Sequence, residues 1–262
     1  MSGVGAVRDT QTQERCLVGV ASLVFVTCAA ATVVCCTAMS AKGGVPMPGG
    51  WTMSMAWLRM CGQTWQGAAA SFVGMWIVMM VTMMLPALLP VLVRYRSAPG
   101  GSVRLTLAAA AGYFGVWLAL GVVVFPLGTA VAAVEMRVAD VARLAPLVSA
   151  LVVVAAGVFQ GGGRKMRCLK HFPALSADAG LLAAARSGAV FGLHCLICCA
   201  GFTAILLAVG VMNLGLMALM TAAITAERIL PDRERVARLT GYILVAAGGV
   251  GMASAWPSVF LN

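Results

Sequence analysis

Seven apolar stretches recur along this chain, at 16–39, 71–93, 103–126, 144–160, 183–209, 212–230 and 238–256. About 20 apolar residues cover the roughly 30 Å of a bilayer's hydrocarbon at 1.5 Å per helical residue. Backbone groups inside hydrocarbon must satisfy one another, so runs of this kind fold as helices. Composition points the same way: the 262 residues are 61% hydrophobic and only 10% charged, against about 25% charged in soluble domains. The expected fold is all-α, a polytopic bundle of about seven transmembrane spans. It forms a single integral membrane domain over 16–262, preceded by a cytoplasmic tail at 1–15.

A net charge of +10 would suggest nucleic acid in a soluble domain. Here the basic residues fall in short loops between apolar runs, which is a topology signal and makes no nucleic-acid site. With the N-terminus inside, 14 of the 18 Lys and Arg residues are cytoplasmic, and only Lys42, Arg59, Arg137 and Arg143 lie outside. Dropping one span would scatter them over both faces, so the bias supports both the count and an N-in, C-out orientation. The first run exceeds the 7–15 residues of a signal-peptide core, and "TAMSAKG" is a poor cleavage site, so an uncleaved anchor is expected. Pro86 and Pro90 should kink the second span and Pro126 should close the third, while Gly188 and Gly192 make a GxxxG pair suited to close helix approach.

Chemistry concentrates in "GLHCLICCAG". At 100° per residue, His194, Cys195, Cys198 and Cys199 share an arc of about 140° and can all face the bundle interior. Thiolate and imidazole suit Cu(I) and Zn(II), thiolate favouring the softer ion. Cysteine is also a small hydrophobe that packs well, but an ionisable residue inside a membrane points to function. The basic loop at 161–182 carries "RCLKH", in which Cys168 and His171 stand at chelating spacing. Arg167 and Lys170 set positive charge beside that sulfur, which suits its metal-binding form. If the loop folds back on the fifth span, the two His/Cys pairs make one four-ligand site.

Methionine supplies a third donor. The second span holds Met75, Met79, Met80, Met83 and Met84, and the outward loop at 40–70 adds Met53 and Met55 as a solvent-facing M-x-M pair. Thioethers bind Cu(I) or Ag(I) and ignore hard ions, though methionine also fills gaps in cores. Ordered by depth, thioethers outside lead to thiolates inside, a gradient suited to passing a soft ion inward. The central parts of spans two, three, four and seven hold no acidic residue, which argues against a carboxylate ion site. Glu227, at the inner end of span six, pairs with Arg228 or approaches the cytoplasmic ligand loop. Nine cysteines, most of them in apolar runs, read as thiols, with Cys61 alone in the outward loop. No HExxH, phosphate-loop or GxSxG signature is present, and two histidines are too few for the bis-histidine haem sites of membrane cytochromes.

"MWIVMMVTMMLPALLP", "KMRCLKH" and "GLHCLICCAGFTAILLAVGVMNLGLMALMTAAITAER", taken in order, resemble the three blocks of the bacterial predicted metal-binding integral membrane proteins. Some members of that family are labelled copper chaperones. The resemblance covers about residues 50–250 and implies an inner-membrane helical fold with metal binding at Cys168, Cys195, Cys198 and Cys199. It also marks Met79, Met80, Met83, Met84, Pro86, Met212 and Asn213 as motif positions. The family often has a second cysteine four residues after the position of Cys168; here that residue is Phe172, and His171 takes the ligand role.

The expected function is therefore soft-metal handling, with copper as Cu(I) first and zinc second. Cys195 and Cys198 are the core ligands, assisted by His194, Cys199, Cys168 and His171, and the methionines relay. The expected partners are the lipid bilayer, the metal ion and a copper-accepting protein. Two other readings stand beside it: a thiol-redox protein using the Cys195/Cys198 dithiol, and a structural subunit whose cysteines only pack.

Overall fold

A computed structural model describes residues 3–41, 43–59, 62–98, 100–170 and 180–260. Among them are nine α-helices: α1 (Gly3–Ala41), α2 (Trp65–Ser97), α3 (Val103–Arg137), α4 (Ala139–Gly161), α5 (Gly163–Lys170), α6 (Leu181–Cys198), α7 (Ala200–Val209), α8 (Leu214–Ile229) and α9 (Arg233–Phe260). Six of them, α1 to α4, α6 and α9, hold stretches long and apolar enough to cross a membrane. At 16 residues, α8 is shorter.

The helices begin where side chains take over the orphan amides of the first turn. Thr64 accepts from the amide of Gly67, Ser102 from Leu105 and Asn213 from Leu216. Pro126 acts differently from expectation. Pro86 and Pro90 lie inside an uninterrupted α2, and Pro126 lies inside α3, which runs eleven residues beyond it. A proline removes one backbone donor, but buried neighbours hold the helix through it. The fifth apolar run is broken instead, into α6 and α7 at Cys199, whose φ of −97° and ψ of 5° leave the helical region.

Bulky apolar residues face outward on most helices: Leu23, Leu107, Leu182, Ile243 and Val250 are all more than 60% exposed. Soluble monomers rarely expose contiguous apolar surface on this scale, and together with six helices long and apolar enough to cross a membrane it suggests a membrane protein. Small residues carry the helix contacts. Gly188 and Gly192 bring α6 against Ala109 and Tyr113 of α3, as the GxxxG spacing predicts, and Gly157, Gly241 and Gly248 do the same between α4 and α9.

The loop between α1 and α2 is not free coil. Strands β1 (Val45–Met47) and β2 (Trp51–Met53) pair antiparallel, Val45 opposite Met53, across a turn in which Gly49 and Gly50 take φ of 101° and 78°. Trp51 Nε1 donates to the Ala142 carbonyl at 2.8 Å, pinning the hairpin onto the α3–α4 corner. Met53 is therefore buried with Met47, Ala132 and Ala142, and Met55 is half-buried. The M-x-M pair expected to face solvent is thus packed beneath the hairpin.

Candidate metal centre

Three elements converge on one end of the bundle. Gly161 to Gly163 let the chain leave α4 and start α5, with Gly162 extended at φ −78° and ψ 155°. On α5 the spacing i, i+3, i+4 turns Lys165, Cys168 and Leu169 inward, while Arg164, Arg167 and Lys170 stay exposed. On α6 the same period buries Phe191, Cys195, Cys198 and Cys199, with His194 half-buried beside them. The C-terminal end of α8 adds Glu227 and Arg228.

Ligand atoms of Cys168, His194 and Cys198 lie within 4.8 Å of one another. His194 Nε2 lies 2.9 Å from the Cys168 carbonyl oxygen. A carbonyl can only accept, so Nε2 is the donor in this contact. The same bond fixes the backbone that presents the Cys168 sulfur, the orienting role that outer partners play around metal ligands. Two sulfurs and an imidazole are a donor set for Cu(I) or Zn(II), with nothing for a hard ion.

Cys195 belongs to a neighbouring group. The Tyr113 hydroxyl and Arg228 Nη2 both donate to its Sγ at 3.1 Å, and Cys199 is buried in the same core. The geometry thus divides the expected ligand set. It joins Cys198 to His194 and Cys168 across α5 and α6, and joins Cys195 to Tyr113 and Arg228. His171 lies outside the described residues.

Beneath both groups runs a buried ion pair. Lys165 Nζ meets Glu227 Oε2 at 2.7 Å with both side chains almost fully enclosed. Gln160 Nε2 donates to Glu227 Oε1 at 2.8 Å, and Lys165 Nζ donates to the Cys198 carbonyl at 2.8 Å. That carbonyl sits where the α6–α7 break interrupts the helical ladder, so the break and the buried lysine answer one another. Of the two partners expected for Glu227, it takes the ligand loop, and Arg228 reaches Cys195 instead. The sequence counts Lys165 with the topology-setting loop residues, offers Arg228 only as a partner of Glu227, and gives no signal for Gln160 or Tyr113. The three-residue step from Lys165 to Cys168 is the signal that would have found Lys165.

The methionines form the floor of the same core. Met79, Met80, Met83 and Met84 are each 1% exposed and lie in one continuous buried cluster with Met217, Met220, Cys36, Cys195, Cys198 and Cys199. Met75, Met212 and Cys168 pack against it, and Asn213 is the cap of α8.

A family described as PpoB2, copper chaperone, matches this chain over residues 73–251. No curated protein and no solved structure matches it.

Proposed function

The chain belongs to this copper chaperone family, and from that premise we propose a polytopic protein of the bacterial inner membrane that holds Cu(I) between Cys168, His194 and Cys198. The observation that carries the reading is the convergence of those three ligand atoms within 4.8 Å from two separate helices. We count α6 with α7 as one span and α8 as another, which makes seven with the N-terminus cytoplasmic. The centre then lies toward the inner face.

Charge supports a monovalent ion. Two thiolates and Cu(I) leave one net negative charge, costly in a low dielectric unless a cation stands near. Lys165 is neutralised by Glu227, so Arg228 supplies the balance from its bond to Cys195. Cys195 and Cys199 are accessory sulfurs, and His171 a further ligand from the loop. Zinc accepts the same donors, but the buried thioethers of α2 favour the softer ion. Met75, Met79, Met80, Met83 and Met84 form the inner relay, with Met53 and Met55 at its outer approach. The cargo passes to a copper-accepting protein.

The test is Cu(I) competition titration against a chromophoric chelator on reduced, detergent-purified protein. Cys168→Ser/Cys198→Ser should lose more affinity than the roughly 10–100-fold that an outer-partner change costs. Near-stoichiometric copper retained by that double variant overturns the ligand assignment.

A further inference from the structure

On α1 the inward positions are few. Ala21, Thr32 and Cys36 are buried, while Leu23, Val26, Val33 and Val34 around them face outward. Thr32 and Cys36 stand one turn apart on one face, so α1 docks through a narrow stripe of polar and sulfur side chains. Thr32 Oγ1 meets Thr82 Oγ1 of α2 at 3.5 Å. One turn further on, the Cys36 thiol donates to Met212 Sδ at 3.8 Å, with Cys36 only 1% exposed.

Met212 is held by construction. Gly210, at φ 143°, ends α7, and Asn213 opens α8 by accepting from the Leu216 amide at 2.9 Å. Between those two fixed points Met212 directs its sulfur to α1. The pair is separated from Cys198 by the length of α7, about 15 Å for ten helical residues, so it is no part of the centre described above.

We propose that Cys36 and Met212 form a second soft-metal site at the opposite end of the bundle, taking Cu(I) or Ag(I) between a thiolate and a thioether. The inference rests on the soft-metal reading of the inner centre but not on its ligands. A near-linear two-coordinate ion with metal–sulfur bonds of about 2.3 Å, as for zinc thiolates, needs its sulfurs about 4.6 Å apart, so the 3.8 Å contact opens by about 0.8 Å to admit it. The incoming ion is already monovalent; it replaces the thiol proton, which leaves to water, and no electron moves. Both sulfurs adjoin the methionine core of α2, so the pair stands where an ion would enter or leave that row. Cys36 lies outside residues 73–251, which makes this donor an addition on α1 rather than part of the matched segment.

Full-length, reduced, detergent-purified protein titrated with Ag(I) and with Cu(I) tests the pair. Cys36→Ser and Met212→Leu should each lower the stoichiometry by one equivalent, while Cys168→Ser/Cys198→Ser keeps that equivalent. Met212→Leu conserves volume and packing, so it separates ligation from filling should the serine variant unfold. Wild-type stoichiometry and affinity in Met212→Leu overturn the site, whatever Cys36→Ser does. Loss in both single variants, together with full binding in the inner double variant, keeps this site and removes the inner assignment.

Discussion

Where α4 meets α9, glycines face backbone: a Cβ on Gly157 would stand 2.8 Å from the Gly241 carbonyl oxygen, and one on Gly248 would stand 2.9 Å from that of Ala150. Where α5 meets α6 and α8, a lysine, a glutamate and a glutamine are enclosed with three cysteines. Helices in lipid gain nothing by exchanging hydrocarbon for side-chain hydrocarbon, so they associate by close packing or by polar contact. The first junction takes the route of close packing, glycine against backbone. The second spends stability on buried charge, and an intramembrane charge retained at such cost marks function.

The comparison breaks most sharply at Lys165. Lys165→Met leaves Glu227 buried beside one amide, and losing one partner of a buried pair costs about 3–5 kcal/mol. The expected result is a large drop in unfolding free energy in detergent. Lys165→Met/Glu227→Met should recover most of it, because an apolar replacement of both partners is often neutral. A single variant as stable as the parent would place this pair in water and remove the contrast.

On the other seam the expected effects are smaller and of a different kind. Gly248→Leu forces α4 and α9 apart around Val154, an overpacking worth about 1–3 kcal/mol. Copper bound per folded molecule should stay at the parent value, since no ligand lies on that seam. Copper lost in proportion beyond the unfolded fraction would show that the two junctions are coupled.

This division of labour was only half legible in the sequence. Span existence was plain because hydrocarbon demands uninterrupted apolar length, and the Gly188/Gly192 pair was plain because close approach needs a missing Cβ. The break at Cys199 was not, because the carbonyl beside it meets a partner 33 residues away, the Lys165 ammonium. Pro126 misled for the same reason: local propensity says the helix ends, and tertiary packing continues it to Arg137. Candidate sulfurs were readable as residues, but their grouping depends on whether α5 folds back, which no periodicity states. Cys36 drew no notice, since a lone cysteine in an apolar run is mostly packing until Met212 is seen beside it.

Within the charged junction, Tyr113→Phe sharpens the separation of Cys195 from the Cys168/His194/Cys198 group. It removes one of the two donors to the Cys195 sulfur, at about 1 kcal/mol, and leaves Arg228 in place. Copper stoichiometry should hold and stability should fall slightly. Loss of a full equivalent would move Cys195 into the primary site and reunite the two sulfur groups.

The smallest expected effect belongs to α1, which resembles neither junction. Its Thr32 and Thr82 hydroxyls approach at 3.5 Å, but Thr32 gives its proton to the Cys28 carbonyl and Thr82 gives its own to the Val78 carbonyl. The contact is therefore worth less than the roughly 0.6 kcal/mol that interhelical hydrogen bonds average in membranes. Thr32→Val keeps the shape and removes the intrahelical bond and the hydroxyl contact, so unfolding free energy should change by no more than about that average. If instead α1 detaches, seen as new alkylation of the buried Cys36 by a membrane-permeant maleimide, then docking of this helix hangs on one polar contact. The Cys36–Met212 distance would then be set by Thr32, and metal binding there should weaken in the same variant.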